Sequence, residues 1–319
     1  MKVSARQLMI PGIFLVIALS AVIPGSWGSA IDHAWARNAG IFGIFLLQGL
    51  SLDLKQLGGW GRQLERVAWV LAGNFVLLPI IGWLLVKALP LPPAIAIGLA
   101  FLSVLPTTVT SAVAIATENG GDRVMALMAT AVSNLASVLL TPALMSLYLA
   151  QSQGGSGDFW GLIEELFFLL ALPLLLGTWL RTFPAVRPYA TPWWAAYFNL
   201  GVILYLLFLA MARSVAQGVW ADLSRGEAIA AGGSAVLLFA GGQLALWVIA
   251  RLRRMEEPQR ISLLITGGQK SLATGIPIAT LLFGPTVWAE QLGLILMPLL
   301  ICHPLQLLAH SQWPRARGA

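Results

Sequence analysis

The sequence is poor in charged residues and nearly free of cysteine. Only 10% of its 319 residues are charged, against about 25% in a typical soluble domain, so much of its surface cannot face water. Cys302 is the single cysteine, which excludes an intrachain disulfide and a cysteine-based metal site. His33, His303 and His310 do not have the spacing of metal ligands. No paired-carboxylate, zinc or Ser-His-Asp pattern is present, and we therefore expect neither an enzyme nor a bound cofactor.

Apolar residues are abundant and lie in long runs. They make up 58% of the chain, and the mean hydropathy is +0.82. A membrane-spanning helix needs about 20 mostly apolar residues, and ten runs approach that length. They are Leu8–Ile23, Ala39–Leu52, Val67–Leu89, Pro93–Thr117, Arg123–Ala150, Gly161–Leu180, Ala195–Ala216, Glu227–Ala250, Ile261–Phe283 and Leu292–His310. The sequence therefore predicts an all-α polytopic membrane protein embedded in a lipid bilayer, although the first run also has the pattern of a signal peptide.

Lysine and arginine are distributed unevenly between the two sides of these spans. Of the 19 basic residues, fourteen fall on the side of the N-terminus, four fall on the other side, and Lys270 falls inside a span. The positive-inside rule then places both termini in the cytoplasm. The same distribution accounts for the net charge of +6 without a nucleic-acid partner. Short loops suit a bacterial inner membrane.

A polar, glycine-rich segment, Gln151–Asp158, divides the ten spans into five and five. An odd number of spans in each half makes the second half enter the membrane from the opposite side, as in inverted-topology repeats. We expect one transmembrane domain over residues 1–319, built from a repeat over 8–150 and a repeat over 161–310.

Two spans are interrupted at matching positions, the fourth of each half. The fourth span contains Pro106, which removes a backbone donor, and several hydroxyls follow it. The ninth contains two glycines followed by an amide, an ammonium and a hydroxyl. Paired breaks of this kind indicate a transport site, although either alone could be an ordinary kink. The candidate binding residues at the breaks are Pro106, Thr107, Thr108, Thr110, Ser111, Gly268, Gln269, Lys270 and Ser271.

Lys270 is the most informative of these residues. A lysine in mid-bilayer costs about 3 kcal/mol even on a lenient insertion scale, and no acidic residue lies deep in any span. Neutral oxygens, a bound anion or deprotonation must therefore satisfy it. It is either a structural lysine held by backbone carbonyls, or a charge that meets substrate or replaces a coupling ion.

Further polar residues fall inside two other spans. Asn74 lies in the third span, and Thr130, Ser133 and Asn134 share one face of the fifth. They are either part of the site or interhelical hydrogen-bonding residues. His303, with the proline that follows it, is interpreted as a structural kink.

Several motifs resemble a known family. They are Asn74–Pro79 (NFVLLP), Leu105–Asn134, Leu139–Pro142 (LLTP), Gln269–Pro277 (QKSLATGIP) and Ile301–Leu308 (ICHPLQLL). In order and spacing the chain resembles the bile acid:sodium symporter superfamily (solute carrier family 10), and within it the member-7-like branch of SBF-like transporters. The resemblance implies ten helices in two inverted repeats, with the fourth and ninth broken and crossing. It also implies a core of spans 3–5 and 8–10, a panel of spans 1, 2, 6 and 7, and an elevator-like motion of one against the other.

The sodium ligands of that family are only partly present here. The first site would fall on Ser111, Ala112, Ala126, Thr130 and Ile265, so two oxygens remain and the carboxylate is lost. The second site would fall on Asn74, Ile265 and Gln269. Lys270 occupies the position of a family asparagine.

Loss of the only anion weakens a site for a hard cation. A sodium site made by Asn74, Ser111, Thr130 and Gln269 is therefore doubtful. We hypothesise instead that the Lys270 ammonium replaces a sodium ion and shares oxygens with Asn74, Thr110, Ser111 and Thr130. Transport would then be uncoupled from sodium, or coupled to H⁺.

The function expected from these patterns is secondary transport of a small organic solute, an anion, by alternating access. The alternatives are a non-transporting regulator or receptor with the same fold, a channel, and a proton-coupled antiporter. The substrate and the oligomeric state do not follow from the sequence.

Overall fold

A computed structural model describes residues 5–23, 30–52, 60–108, 110–153, 164 and 166–312. Regular structure in this part of the chain is helical, without a strand. The α-helices used below are α1 (Ala5–Val22), α2 (Ala34–Ser51), α3 (Trp60–Ala72), α4 (Leu78–Ala88), α5 (Pro93–Val104), α6 (Thr110–Glu118), α7 (Arg123–Gln153), α8 (Leu172–Leu180), α9 (Ala195–Ala216), α10 (Arg225–Leu252), α11 (Glu257–Gly268), α12 (Leu272–Phe283) and α13 (Leu292–Ser311). Turns of π-helix at Gly73–Leu77 and Phe167–Ala171 precede α4 and α8.

Five helical segments within the described residues are long and apolar enough to cross a membrane. They are Gln63–Ala88, Arg123–Leu149, Ala195–Ala216, Arg225–Leu252 and Ala289–Ser311. The fourth and ninth predicted spans are each divided into two helices of at most 12 residues. Neither piece can cross a bilayer alone. The five long segments make the protein a multi-pass helical one, and the count of ten spans stays a prediction.

The chain divides into two compact units. Unit one contains the described residues within 1–54, 157–224 and 276–296, and unit two those within 55–156, 225–275 and 297–319. Unit one thus contains the first, second, sixth and seventh spans, and unit two the third, fourth, fifth and eighth. The grouping agrees with the expected panel and core, except that the later part of α12 and the first residues of α13 belong to unit one.

In unit one, α2 and α8 pack closely through two glycines. A Cβ atom added at Gly49 would overlap the carbonyl oxygen of Leu174, and one added at Gly177 would overlap that of Leu46. Small residues let helix backbones approach within a membrane, where lipid offers no hydrophobic gain for helix association. The Thr178 hydroxyl donates to the carbonyl of Gly49 over 3.4 Å across the same contact.

In unit two, the helices that carry the candidate site pack around a buried apolar cluster. Val67, Met125, Leu246 and Leu263 belong to it and come from α3, α7, α10 and α11. The N-termini of two of these helices are capped. Asp122 accepts from the N–H of Met125 over 3.0 Å at the start of α7, and a capping box at Glu256 begins α11.

The predicted limits differ from the structure by a few residues in most spans. The third begins earlier, at Trp60, and the fifth continues through Gln153, into the segment predicted as a polar break. The rest of Gln151–Asp158 lies outside the described residues. The seventh, Ala195–Ala216, has the predicted limits. The order of two inverted repeats, over 8–150 and 161–310, stays a prediction.

Candidate functional site

Both predicted helix breaks are present, and each has a local cause. Leu105 follows α5 in an extended conformation (φ −71°, ψ 151°), as expected for a residue that precedes proline. Gln269 follows the glycines at the end of α11, also extended (φ −78°, ψ 143°). The N–H of Ser271 donates to the carbonyl oxygen of Pro106 over 2.9 Å. The two breaks therefore meet directly in unit two.

The backbone of the first break is held by polar side chains of α7. Ser133 accepts from the N–H of Thr107 over 3.3 Å, and Asn134 donates to the carbonyl oxygen of Thr107 over 3.0 Å. The Asn74 amide donates to Ser133 over 3.3 Å and to the carbonyl of Thr266 over 3.3 Å. These side chains thus replace the helical hydrogen bonds that the break removes.

The carbonyl of Val104 is satisfied in the same way. The hydroxyl of Thr141, also on α7, donates to it over 2.8 Å. Two further carbonyls at the C-terminal end of α5, those of Ser103 and Leu105, bind the side chain of Lys270. The last carbonyls of a helix lack intrahelical partners and carry partial negative charge, so this end of α5 attracts a cation.

Lys270 is 2% exposed, and its ammonium is surrounded by neutral oxygens. Nζ donates to the carbonyl oxygen of Leu105 over 2.7 Å and to that of Ser103 over 2.8 Å. Longer contacts of 3.3 and 3.4 Å reach the carbonyl oxygen and Oδ1 of Asn74. An ammonium has three N–H donors, so two strong bonds and one shared bond occupy all of them.

A π-helical turn explains why the carbonyl of Asn74 is available to Lys270. Within Gly73–Leu77 the N–H of Leu78 bonds to the carbonyl of Gly73, five residues earlier. In the same register the carbonyl of Asn74 would accept from residue 79, which is a proline without an N–H. Turns of π-helix often mark functional sites, and here the turn presents a backbone oxygen to the buried ammonium.

The expected partners of Lys270 were therefore only partly right. Asn74 is one of them, but Ser111 donates to the hydroxyl of Thr108 over 2.8 Å and Thr130 donates to its own helix at Leu127 over 2.9 Å. The side chain of Thr110 lies outside the described residues. Backbone carbonyls, the partners expected for a structural lysine, bind the ammonium instead of these hydroxyls, because the end of α5 supplies unpaired acceptors at the position that the lysine reaches.

The second break is held by Gln306, which is not among the predicted site residues. Gln306 on α13 accepts from the N–H of Lys270 over 2.8 Å and donates to its carbonyl oxygen over 2.7 Å. His303 Nδ1 lies 3.4 Å from the same carbonyl oxygen and 3.0 Å from Gln306 Nε2. His303 thus contacts the break instead of only marking a kink. The motif of His303, a proline and Gln306, three residues apart on one helix face, was the available signal.

The remaining polar residues of the site form a chain along the breaks. Thr108 donates to Oε1 of Gln269 over 2.6 Å, and Gln269 Nε2 lies 3.2 Å from Nδ1 of His310. Ser271 accepts from the N–H of Thr274 over 3.1 Å and so caps α12. Ten of the predicted site residues lie at the breaks: Asn74, Pro106, Thr107, Thr108, Ser111, Ser133, Asn134, Gln269, Lys270 and Ser271. Gly268 ends α11, and Thr130 stays one turn away, where its carbonyl accepts from Asn134.

Three positions at which the expected sodium ligands are missing lie together. Ala112, Ala126 and Ile265 are each 0% exposed and belong to one apolar cluster, which also contains Ile115 and Ile261. The residues that would replace the oxygens of a cation site therefore fill that place with hydrocarbon. An apolar environment of this kind does not favour a bare cation. Among the described residues no group of carboxylates, histidines or cysteines is arranged to hold a metal ion.

A multi-pass helical protein in which two interrupted helices meet at their breaks, around buried polar groups, has the architecture of a membrane transporter. The chain belongs to the SBF-like CPA transporter family, whose sequence profile matches residues 7–313. The resemblance to the bile acid:sodium symporter superfamily is thereby confirmed. The family and its named relatives are transporters and not enzymes.

Several named relatives align over most of this chain. A putative symporter, YfeH of Escherichia coli K12, is 28% identical over 301 residues, covering 92% of this chain and 87% of its own length. Sodium/bile acid cotransporter 7 of Xenopus tropicalis is 26% identical over 324 residues, covering 96% and 90%. The corresponding protein of Danio rerio is 24% identical over 320 residues, covering 96% and 92%.

Proposed function

We propose that the chain is a secondary-active transporter of a small organic anion that works by alternating access without sodium coupling. In this proposal ten helices form two inverted five-helix repeats. The protein lies in the cell membrane, the inner membrane of a bacterium, with both termini in the cytoplasm. Solute crosses as the core helices move against the panel helices.

The coordination of the Lys270 ammonium is the observation that supports sodium-independent transport. Carbonyl oxygens of Asn74, Ser103 and Leu105, with Oδ1 of Asn74, surround Nζ. Carbonyls of this kind can replace the hydration shell of an alkali cation, and a tethered cation already occupies them here. The coupling ion of the named cotransporters would then be replaced by a charge that never leaves the protein.

The apolar cluster at Ala112, Ala126 and Ile265 supports the same proposal. A second sodium at that place would need hard oxygen ligands, and none of these three side chains carries an oxygen. Ser111 and Thr130, which retain their oxygens, are hydrogen-bonded elsewhere. Proton coupling through Lys270 is the less favoured alternative, because all three of its donors are engaged.

The preference for an anion follows from the net positive charge at the breaks. Within the part of the chain that the structure describes, Lys270 forms no ion pair. The N-termini of α6 and α12, which carry the positive ends of the helix dipoles, also begin at the breaks. Transporters with broken helices commonly bind anionic groups at such ends.

Uptake into proteoliposomes tests the proposal. The purified protein is reconstituted, and a panel of radiolabelled probes (monocarboxylates, dicarboxylates, sulfonates and taurocholate) is offered with an inward Na⁺ gradient or with choline in its place. We expect saturable uptake of at least one anionic probe at equal rates in both salts, and no uptake into protein-free vesicles.

Three outcomes would count against it. Uptake that needs the Na⁺ gradient would contradict sodium-independence, and sodium-driven uptake unchanged in Lys270→Ala would remove the lysine from the mechanism. Saturable binding of a probe without flux would instead identify a receptor or regulator that shares the fold.

A further inference from the structure

An apolar groove runs between α4, α5 and α7 in unit two, outside the polar site. Its volume is about 230 Å³, and Pro79, Trp83, Ser103, Leu144, Leu147 and Tyr148 contribute to its walls. For comparison, an apolar cavity of about 150 Å³ can hold benzene. Leu147 is 62% exposed, so one wall of the groove opens outward.

The groove, together with a lysine beyond its outer end, extends along about half of a membrane-spanning segment. Its inner end is marked by Pro79, at the start of α4, and by Ser103, at the end of α5 beside the first break. Trp83 lies one turn further along α4, and Lys87 lies in the last turn of that helix. Eight residues separate Pro79 from Lys87, which is about 12 Å of helix. The wall residues on α4 end at Trp83, one turn before Lys87. Half of the hydrocarbon core of a bilayer is about 15 Å thick, so the groove and Lys87 together have about the reach of one leaflet.

A positive charge stands at the outer end of the groove. The ammonium of Lys87 lies 3.7 Å from the centroid of the Trp83 ring, and Trp83 is itself a wall residue. Tryptophan and lysine near the end of a spanning helix are typical of the headgroup level of a bilayer. The groove thus combines an apolar channel below that level with a cation at it.

We propose that this groove binds one acyl chain of an anionic phospholipid, whose phosphate pairs with Lys87. The lipid belongs to the leaflet on the Lys87 side of the membrane. Basic pockets between membrane helices are known to bind acidic lipid headgroups. The inner end of the chain reaches Ser103, whose carbonyl binds the Lys270 ammonium. Bound lipid therefore contacts the residue that helps hold the buried cation, and links membrane composition to the site.

Native mass spectrometry of the delipidated protein tests this site, with dioleoyl-phosphatidylglycerol and dioleoyl-phosphatidylcholine as probes. We expect one molecule of the anionic lipid to bind more tightly than the zwitterionic lipid to the wild type. Lys87→Gln should weaken phosphatidylglycerol about fivefold, the effect of one basic residue near an anionic headgroup. Leu144→Trp, which fills the groove, should abolish this tightest binding step for both lipids.

Arg225→Gln is the matched control, because Arg225 is exposed at the start of α10 and falls on the same predicted side of the membrane. It should leave the preference for phosphatidylglycerol unchanged. Equal affinities in wild type and Lys87→Gln would overturn the proposal. The proposal would also be overturned if the protein forms a dimer that Leu144→Trp dissociates without a change in lipid binding. A second copy of the chain, and not a lipid, would then occupy the groove. If Leu144→Trp does not fold, the comparison of Lys87→Gln with Arg225→Gln decides alone.

Discussion

The ammonium nitrogen of Lys270 lies 2.7 Å from the carbonyl oxygen of Leu105. The second helix break thus supplies the cation that satisfies the backbone of the first. A lysine buried in mid-membrane is costly, and here helix-end carbonyls compensate that cost without a carboxylate. The two breaks form one polar unit, and a substitution at either break should also destabilise the other.

A matched pair of serines on α7 tests the support of the first break. Ser133 bonds to Asn74 and to the N–H of Thr107. Ser137, one turn later and equally buried, bonds among the described residues to the carbonyl of Asn134 in its own helix. Ser133→Ala leaves a buried N–H without its partner and should cost about 1 to 3 kcal/mol. Ser137→Ala should change stability little, since alanine is the better helix former. The thermal midpoints of both variants, measured in detergent, test this difference. Equal midpoints would contradict the role of Ser133 in supporting the first break.

A pair of glutamines tests the support of the second break. Gln306→Leu removes both bonds to the backbone of Lys270, at about 1 to 3 kcal/mol for each orphaned group. Gln243→Leu removes one longer bond, of 3.2 Å, to the carbonyl of Leu264. We expect Gln306→Leu to lower the thermal midpoint far more than Gln243→Leu and to reduce uptake. If the two variants are alike, Gln306 does not hold the break.

Two glycines in unit one allow the effect of close helix packing on stability to be distinguished from the effect of helix propensity. Gly177→Ala places a methyl group against the backbone of Leu46 and Leu50, which cannot move aside as a flexible side chain would. Nothing lies within 4 Å of a Cβ atom added at Gly201 in α9. Gly177→Ala should therefore lower the thermal midpoint sharply, whereas Gly201→Ala should raise stability by up to about 1 kcal/mol. A tolerated Gly177→Ala would mean that α2 and α8 are further apart than described.

The sequence predicted the positions of both breaks because their causes are encoded in residue type. Pro106 lacks a donor and forces Leu105 into an extended conformation, and two glycines precede Gln269. The clustering of Asn74, Ser133 and Asn134 at the breaks was predictable for a similar reason, since buried amides and hydroxyls need partners.

Backbone carbonyls were one of the alternatives predicted for Lys270, and three of its four oxygen ligands are carbonyls, those of Asn74, Ser103 and Leu105. Which residues supply them was harder to predict. Any residue at positions 103 and 105 would supply the same oxygen, so side-chain chemistry does not mark them. The expected hydroxyls of Ser111 and Thr130 were wrong for this reason. Gln306 could have been found from its spacing to His303, but its two bonds to Lys270 depend on the proximity of α13, which the sequence does not state.

The most direct test of the account is the thermal stability of Lys270 variants in NaCl and in choline chloride. A ligand that binds only the folded state raises the melting temperature as its concentration exceeds Kd. Lys270→Ala empties the space among the carbonyls of Asn74, Ser103 and Leu105, whereas Lys270→Met keeps it filled with hydrocarbon. We expect both variants to melt below the wild type in choline, and Na⁺ to raise the midpoint of Lys270→Ala alone. A sodium-specific rise in the wild type, or none in Lys270→Ala, would contradict the proposal that the Lys270 ammonium replaces a bound sodium ion.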